Sequence, residues 1–149
     1  MTRLRRILHP SDFSAASARA FAHAVRAAKV NRAQLVVLHV LTPVVPIIGP
    51  EYVPTPSVYA DLERAATAQG KRQLDRLVAR ARKAGVRAVG LLRQGIPAEE
   101  IVRAAKATRA GMIVMGTHGR TGFARLFLGS VAARVVGTAP CPVLTVRGR

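Results

Sequence analysis

Apolar residues along the chain fall into two alternating patterns, one typical of buried strands and the other typical of amphipathic helices. Residues 35–38 form a continuous apolar run, which is expected for a strand that is covered on both faces. Upstream, Ala18, Phe21, Ala22 and Val25 recur at helical spacing, while arginine and lysine occupy the other side. This alternation predicts five strands, at residues 4–9, 34–40, 87–92, 112–115 and 143–146.

A single helix is predicted between each pair of consecutive strands. The four helices are expected at about residues 14–30, 58–84, 97–107 and 130–136, with Ser14 or Asp12 capping the first and Gly85 ending the second. Strands separated by single helices form a parallel sheet with right-handed crossovers. The 149 residues are therefore expected to form one α/β domain, an open parallel sheet with helices on both faces.

A proline-rich stretch interrupts this pattern between the second strand and the second helix. Residues 41–57 contain five prolines, a density at which neither a helix nor a sheet can continue. The same stretch carries several apolar residues. We therefore predict a long loop that either covers a site as a flap or contacts a partner chain.

The charge balance is strongly positive. Lysine and arginine number 24 and aspartate and glutamate 7, which gives a formal net charge of +17 and attracts polyanions. The cations of the second predicted helix form either a solvated face or a nucleic-acid groove. No aromatic residues that could stack on bases are interleaved with them, which favours the solvated face. The cations concerned are Lys71, Arg72, Arg76, Arg80, Arg82 and Lys83.

Cysteine content and hydropathy bear on the compartment. The single cysteine, Cys141, excludes an internal disulfide and is interpreted as a small apolar residue in a protein of the reducing cytoplasm. The apolar run after the first arginines is too short for a secretory leader, and no segment approaches the roughly 20 apolar residues of a membrane helix.

The segment from Met115 to Ser130 contains the pattern with the clearest chemistry. It begins where a strand is predicted to end, contains Gly116 and Gly119, and finishes with Gly129 and Ser130 at the start of a helix. Glycines let a backbone approach a ligand and adopt positive φ, and helix N-termini favour anions. The segment therefore predicts a phosphate site, to which Arg120 adds positive charge. His118 is interpreted either as a residue that shapes the loop or as a base.

Two common phosphate-binding motifs are absent. A Walker loop requires Gly-Lys followed by Ser or Thr, and the only Gly-Lys is Gly70-Lys71, inside a helical pattern. The dinucleotide fingerprint follows a first strand, yet residues 9–14 contain no glycine. These absences argue against a P-loop NTPase and a classical NAD enzyme.

The spacing Gly116-x2-Gly119-x9-Gly129-Ser130 resembles the nucleotide-binding pattern of the universal stress protein family, in its ATP-binding branch. Further stretches resemble other signatures of that family in the same order, and together they cover essentially the whole chain. These stretches are residues 7–14, 39–40, 95–101, 113–116 and 139–144.

The resemblance implies a five-stranded Rossmann-like sheet in the order 3-2-1-4-5, and an ATP site where the chain reverses. It implies that Asp12 and Val40 contact the adenine end and that the segment from Met115 to Val131 holds the ribose and the phosphates, often with Mg²⁺ bound through them. It also implies a homodimer formed through Val143–Val146. The nucleotide-contacting residues expected in that segment are Met115, Gly116, His118, Gly119, Arg120, Gly129, Ser130 and Val131.

Three functions remain open from the sequence. The first is an ATP-binding stress-response or regulatory module with little or no turnover, because the phosphate site is not accompanied by an evident catalytic base. The second is a slow ATPase or nucleotide-dependent transferase, in which Asp12 or His118 positions water. The third, based on charge alone, is a polyanion-binding protein.

Overall fold

The structure is a computed structural model, which describes residues 4–43, 55–118 and 128–148. Strands and helices alternate along these residues as the hydrophobic pattern predicts. The strands are β1 (Arg6–Pro10), β2 (Gln34–Leu41), β3 (Ala88–Gln94), β4 (Met112–Gly116) and β5 (Val143–Val146). The helices are α1 (Ala15–Asn31), α2 (Pro56–Lys83), α3 (Pro97–Thr108) and α4 (Ser130–Thr138).

The five strands form one parallel sheet in the order β3-β2-β1-β4-β5. This confirms the predicted fold class and strand order. The chain reverses direction across the sheet between β1 and β4, because β2 and β3 lie on one side of β1 while β4 and β5 lie on the other. Crevices at such reversals are the usual ligand sites of open α/β sheets.

Apolar side chains fill both faces of the sheet. One core cluster joins Ile7, Leu35 and Val37 to apolar residues of α1 and α2, and a second joins Leu8 and Ile113 to α3 and α4. Alternate residues of one strand therefore enter opposite cores, which explains the continuous apolar runs. Valine, leucine, isoleucine and alanine make up most of both clusters, as the low aromatic content predicts.

Most differences from the prediction lie at helix ends. Of the two candidate caps of α1, Ser14 is the N-cap, and its hydroxyl accepts a hydrogen bond of 3.2 Å from the Ser17 amide. Helix α2 begins at Pro56, within the predicted loop, because proline is well suited to the first turn of a helix. Residues 44–54, most of that loop, lie outside the described residues, so the predicted flap stays a prediction. In the described part of the chain, no helix is both long and apolar enough to cross a membrane.

Candidate functional site

A cavity of about 820 Å³ opens at the carboxyl ends of β1, β2 and β4. Its walls are the last residues of these strands, the first residues of α3 and α4, and one side of α2. The volume falls within the range of about 300–1,000 Å³ typical of small-molecule sites. The cavity thus lies at the chain reversal between β1 and β4.

Eight of the ten residues that the sequence indicated as nucleotide contacts line this cavity. The two others, Gly119 and Arg120, lie outside the described residues. Fold topology therefore brings together residues that are up to 119 positions apart, from Asp12 to Val131. The eight are Asp12, Val40, Met115, Gly116, His118, Gly129, Ser130 and Val131.

Ser11 holds the loop between β1 and α1 in place on the cavity wall. Its amide donates to the Leu38 carbonyl at 2.8 Å, and its own carbonyl accepts from His39 Nδ1 at 2.8 Å. Its hydroxyl oxygen accepts from the Ser17 hydroxyl at 2.8 Å and from the Phe13 amide at 3.2 Å. Phe13 has a φ of 63°, an unusual value for a bulky residue. The network around Ser11 stabilises this strained turn.

Asp12 supports the same loop, rather than capping the helix. Its Oδ1 accepts a hydrogen bond of 3.0 Å from the Ser14 amide, whereas the cap of α1 is Ser14. The sequence left two roles open for Asp12, that of helix cap and that of ligand contact. The structure gives the N-cap role to Ser14. Asp12 is the only acidic residue among the described residues that line the cavity.

The two described glycines of the phosphate segment are required by close packing, not by positive φ. Positive φ among the described glycines occurs only at Gly85 and Gly95, so that part of the sequence argument was wrong for Gly116 and Gly129. A Cβ at Gly116 would lie 3.2 Å from the backbone of Ala16 in α1, and one at Gly129 would lie 2.7 Å from the Thr117 carbonyl oxygen.

The N-terminus of α4 faces the cavity without a side-chain cap. Its N-cap is Gly129, which has no side chain to accept from the first-turn amides, and the first helical bond among them runs from the Ala133 amide to the Gly129 carbonyl at 2.8 Å. The amides of Ser130, Val131 and Ala132 precede that bond, and such amides carry the partial positive charge of a helix end. The start of α1, in contrast, is already capped by Ser14.

Two histidines near the site have different environments. His118 lines the cavity, where its Nδ1 lies 2.8 Å from the Thr117 hydroxyl. His9 is fully buried beneath the site, and its Nδ1 donates to the Val114 carbonyl at 2.9 Å. Its Nε2 has no hydrogen-bond partner among the described residues. Burial lowers the pKa of His9 to about 4, so its ring is neutral near pH 7.

Helix α2 supplies a wall of the cavity that the sequence reasoning missed. Gln69 and Gln73, one helical turn apart, contribute amide groups to the lining. Between them, Gly70 lets α2 approach β2, because a Cβ there would lie 3.1 Å from both His39 and Leu41 side chains. The sequence signal that could have indicated this close approach is Gly70 itself, a glycine inside a strong helical pattern.

The described residues contain no group of three or more His, Cys, Asp or Glu side chains that could hold a metal ion. The helix N-terminus and the hydroxyl groups of the cavity lining nevertheless suit a phosphate ester, and the same lining also holds one carboxylate. The fold and the cavity define the class: an open parallel α/β protein with a cavity at the carboxyl ends of its strands.

Comparison with known proteins identifies the family. The family model described as "Universal stress protein family" matches residues 3–147, and the chain belongs to that family. Universal stress protein MJ0531 of Methanocaldococcus jannaschii is 36% identical over 143 residues, which cover 96% of this chain and 82% of the relative. A universal stress protein of Thermus aquaticus is 39% identical over 142 residues, or 95% of this chain and 97% of the relative.

Solved structures agree with the fold. The universal stress protein UspA from Lactobacillus plantarum superimposes with a TM-score of 0.82 at 28% identity, over 99% of this chain and 100% of its own. A family member from Arabidopsis thaliana, described with AMP bound, gives a TM-score of 0.69 at 21% identity over 97% of this chain and 92% of its own. At 21% identity, this similarity supports the fold only.

Proposed function

We propose that this protein binds an adenine nucleotide, ATP in particular, in the cavity at the carboxyl ends of β1, β2 and β4. The observation that carries the proposal is the uncapped N-terminus of α4, whose first-turn amides border a cavity of about 820 Å³. Such amides attract phosphate through both hydrogen bonding and the helix dipole. Since the N-terminus of α1 is already capped by Ser14, the N-terminus of α4 is the better phosphate-binding site of the two.

The cavity offers different chemistry at its two ends. Val40 and Met115 are apolar and suit the faces of an adenine ring, and we propose that Asp12, on the same lining, contacts the polar atoms of the ring or the ribose. Gly116, His118, Gly129, Ser130 and Val131 form the end where we propose the ribose and phosphates bind. Gly119 and Arg120 are proposed to complete that end from the segment outside the described residues.

We propose that Mg²⁺ enters with the nucleotide and is held through its phosphates. The fit is reasonable because Mg²⁺ prefers oxygen ligands and usually needs only one or two protein carboxylates beside substrate phosphates. Asp12 and the Ser130 hydroxyl are oxygen groups of the described cavity lining. When bound, the ion would neutralise phosphate charge, and no protein cage is required.

We further propose a regulatory module of stress responses with little or no turnover. Asp12 already accepts from the Ser14 amide, and the His118 ring already contacts the Thr117 hydroxyl. Both groups are therefore held by contacts within their own loops, which supports structural roles for them. Phosphate release above a buffer blank that disappears in the Ser130→Asp variant described below would instead favour the slow ATPase or transferase.

Substitutions at Ser130 test the nucleotide site. Ser130→Asp places a carboxylate on the first helical residue of α4, where it stabilises the helix but repels phosphate. Ser130→Asn is its neutral match in size and serves as control. Calorimetric titration with ATP and Mg²⁺ should give at least a tenfold weaker affinity for the aspartate variant than for the asparagine variant, because the two differ only in the added negative charge. The proposal would be refuted by equal affinity in all three proteins. It would also be refuted if the unmodified chain bound ATP with a dissociation constant in the millimolar range or weaker.

A homodimer through β5 and a cytoplasmic location are also proposed. β5 pairs with β4 at the end of the strand order, and Leu144 is 42% exposed there. An edge strand of this kind can pair with a second copy. Leu144→Lys should convert a dimer to a monomer in light scattering.

The cytoplasmic location rests on Cys141, whose partial burial raises the pKa of the thiol and suits an unreactive residue.

A further inference from the structure

Five arginines meet at the edge of the sheet opposite the cavity, where the strands begin. We name this group, Arg5, Arg6, Arg32, Arg87 and Arg109, the arginine edge; all five are exposed. Arg6 is the first residue of β1 and Arg5 precedes it, while Arg87 directly precedes β3. Arg32 lies two residues before β2, and Arg109 lies three residues before β4. Because these strands are neighbours in the order β3-β2-β1-β4, the arginines form a row across four strands, about 14 Å wide at the usual strand spacing.

Hydrogen bonds verify that these residues are neighbours. The Arg87 guanidinium donates to the Arg32 carbonyl at 3.4 Å, and the Arg6 guanidinium donates to the carbonyl of Thr108, the residue before Arg109, at 2.8 Å. The Arg5 carbonyl accepts from the Gln34 amide at 2.9 Å, which connects the start of β1 to that of β2. The row is thus continuous from β3 to β4.

Two members of the arginine edge occupy strained backbone positions. Arg32 and Arg109 are the C-caps of α1 and α3, and each has a φ of 51° in the left-handed region. Glycine normally occupies such helix ends because it adopts this conformation without a Cβ penalty. The chain uses arginine at both ends, and each arginine is followed by a buried alanine, Ala33 or Ala110. Arginine occupies both helix ends in spite of the backbone strain, which indicates that its side chain has a role at these positions.

Ordinary helix stabilisation does not explain so many cations. Helices α1, α2 and α3 already carry basic residues in their last turns, including Lys29, Lys83 and Lys106, which suffice to compensate the negative helix ends. Among the described residues, all four ion pairs lie elsewhere, on α2, on α3 and between α3 and α4. No described acidic residue lies at the starts of the strands.

We propose that the arginine edge binds the phosphate backbone of double-stranded nucleic acid. A row of exposed guanidinium groups without acidic neighbours matches a regular line of phosphates, and arginine binds phosphate through paired hydrogen bonds. No aromatic residue of the described chain belongs to this edge, so bases of a single strand would find no stacking partner there. The nucleic acid and the nucleotide occupy opposite edges of the sheet, so the two can be bound together.

The test compares two triple variants with equal charge loss. The edge variant combines Arg5→Gln with Arg32→Gly and Arg109→Gly, because glycine keeps the left-handed helix ends and therefore the fold. The control variant replaces Arg19, Arg72 and Arg93, which are exposed and lie away from the edge, with glutamine. Fluorescence anisotropy measures the affinity of each for a duplex of about 20 base pairs over a range of salt concentrations.

The edge variant should bind the duplex at least tenfold more weakly at physiological salt. Its slope of log affinity against log salt should fall by about 2.7, since each lost phosphate contact removes about 0.9. The control variant should retain nearly the affinity and slope of the unmodified protein. Equal losses in both variants would refute the proposal, as would absence of duplex binding at physiological salt. Stronger binding to single strands or to anionic vesicles, or displacement of the duplex by salt-matched ATP, would also refute it.

Discussion

The amide of Gly129 donates a hydrogen bond of 2.7 Å to the carbonyl of Thr117, and this contact joins the first residue before α4 to the residue after β4. Thr117 and Gly129 therefore lie next to each other. One consequence is that a backbone hydrogen bond helps to position the N-terminus of α4 relative to the sheet. A second is that no side chain can be added at Gly129 without moving the helix start.

Gly129→Ala should weaken nucleotide binding at least tenfold. The added Cβ would lie 2.7 Å from the Thr117 carbonyl oxygen, closer than real contacts permit, so the first turn of α4 must shift away from the phosphates. Gly137→Ala is the matched control, because it lies in the same helix and its Cβ would meet nothing within 4 Å. Calorimetric titration of both variants checks the prediction, and a similar affinity in the two would contradict it.

Stability should fall as the pH decreases from about 6.5 towards 4 because His9 is buried in its neutral form. Its pKa is lowered from 6.5 to about 4 in the folded state, mainly by desolvation. Between those values the unfolded chain binds more protons, so stability is fully present above the unfolded pKa and is lost as the pH falls. The loss is on the order of 3 kcal/mol when complete.

Urea unfolding at several pH values measures this effect. His9→Gln can keep a donor for the Val114 carbonyl, which accepts from His9 Nδ1 at 2.9 Å, but cannot titrate. Its free energy of unfolding should vary less between pH 7 and pH 5 than that of the unmodified chain. Parallel pH profiles for the two proteins would assign the acid sensitivity to other groups.

The fold was predictable because strand burial leaves a direct trace in the sequence. Alternate residues of β2 enter opposite cores, as Val36 and Val37 do, so the whole strand must be apolar. Single helices between such strands then dictate a parallel sheet. Strand order was available only through the family resemblance, since periodicity alone does not specify which strands are neighbours.

The cavity was predictable in its glycine-rich half and not in its α2 half. Gly129 and Ser130 occur in a spacing with a chemical meaning, whereas Gln69 and Gln73 are ordinary residues of a helix surface. Their place in the lining depends on how α2 packs against β2 through Gly70, which is a tertiary contact. Likewise, the close approach of α1 to Gly116 gives that glycine a role that local sequence cannot distinguish from conformational freedom.

Arg32→Gly should raise the free energy of unfolding by about 0.5–1 kcal/mol, because glycine relieves the left-handed strain. The residue has a φ of 51° and its side chain is exposed, so little packing is lost. Arg32→Ala keeps the Cβ and is the control: it removes the same charge without relieving the strain. Chemical denaturation of both variants checks the prediction. Equal stability changes would mean that charge, and not backbone conformation, determines the effect.

Gly116→Ala should destabilise the protein by about 1–3 kcal/mol, since overpacking against a backbone cannot be relieved by a rotamer change. Its Cβ would lie 3.2 Å from the Ala16 carbonyl carbon and 3.3 Å from the carbonyl oxygen, so α1 itself must move. Gly137→Ala again serves as control and should stabilise the chain slightly through helix propensity. Thermal unfolding of both variants without nucleotide isolates the packing effect. If Gly116→Ala unfolds at the temperature of the unmodified protein, α1 has room to retreat from β4, and close packing is not what requires a glycine there.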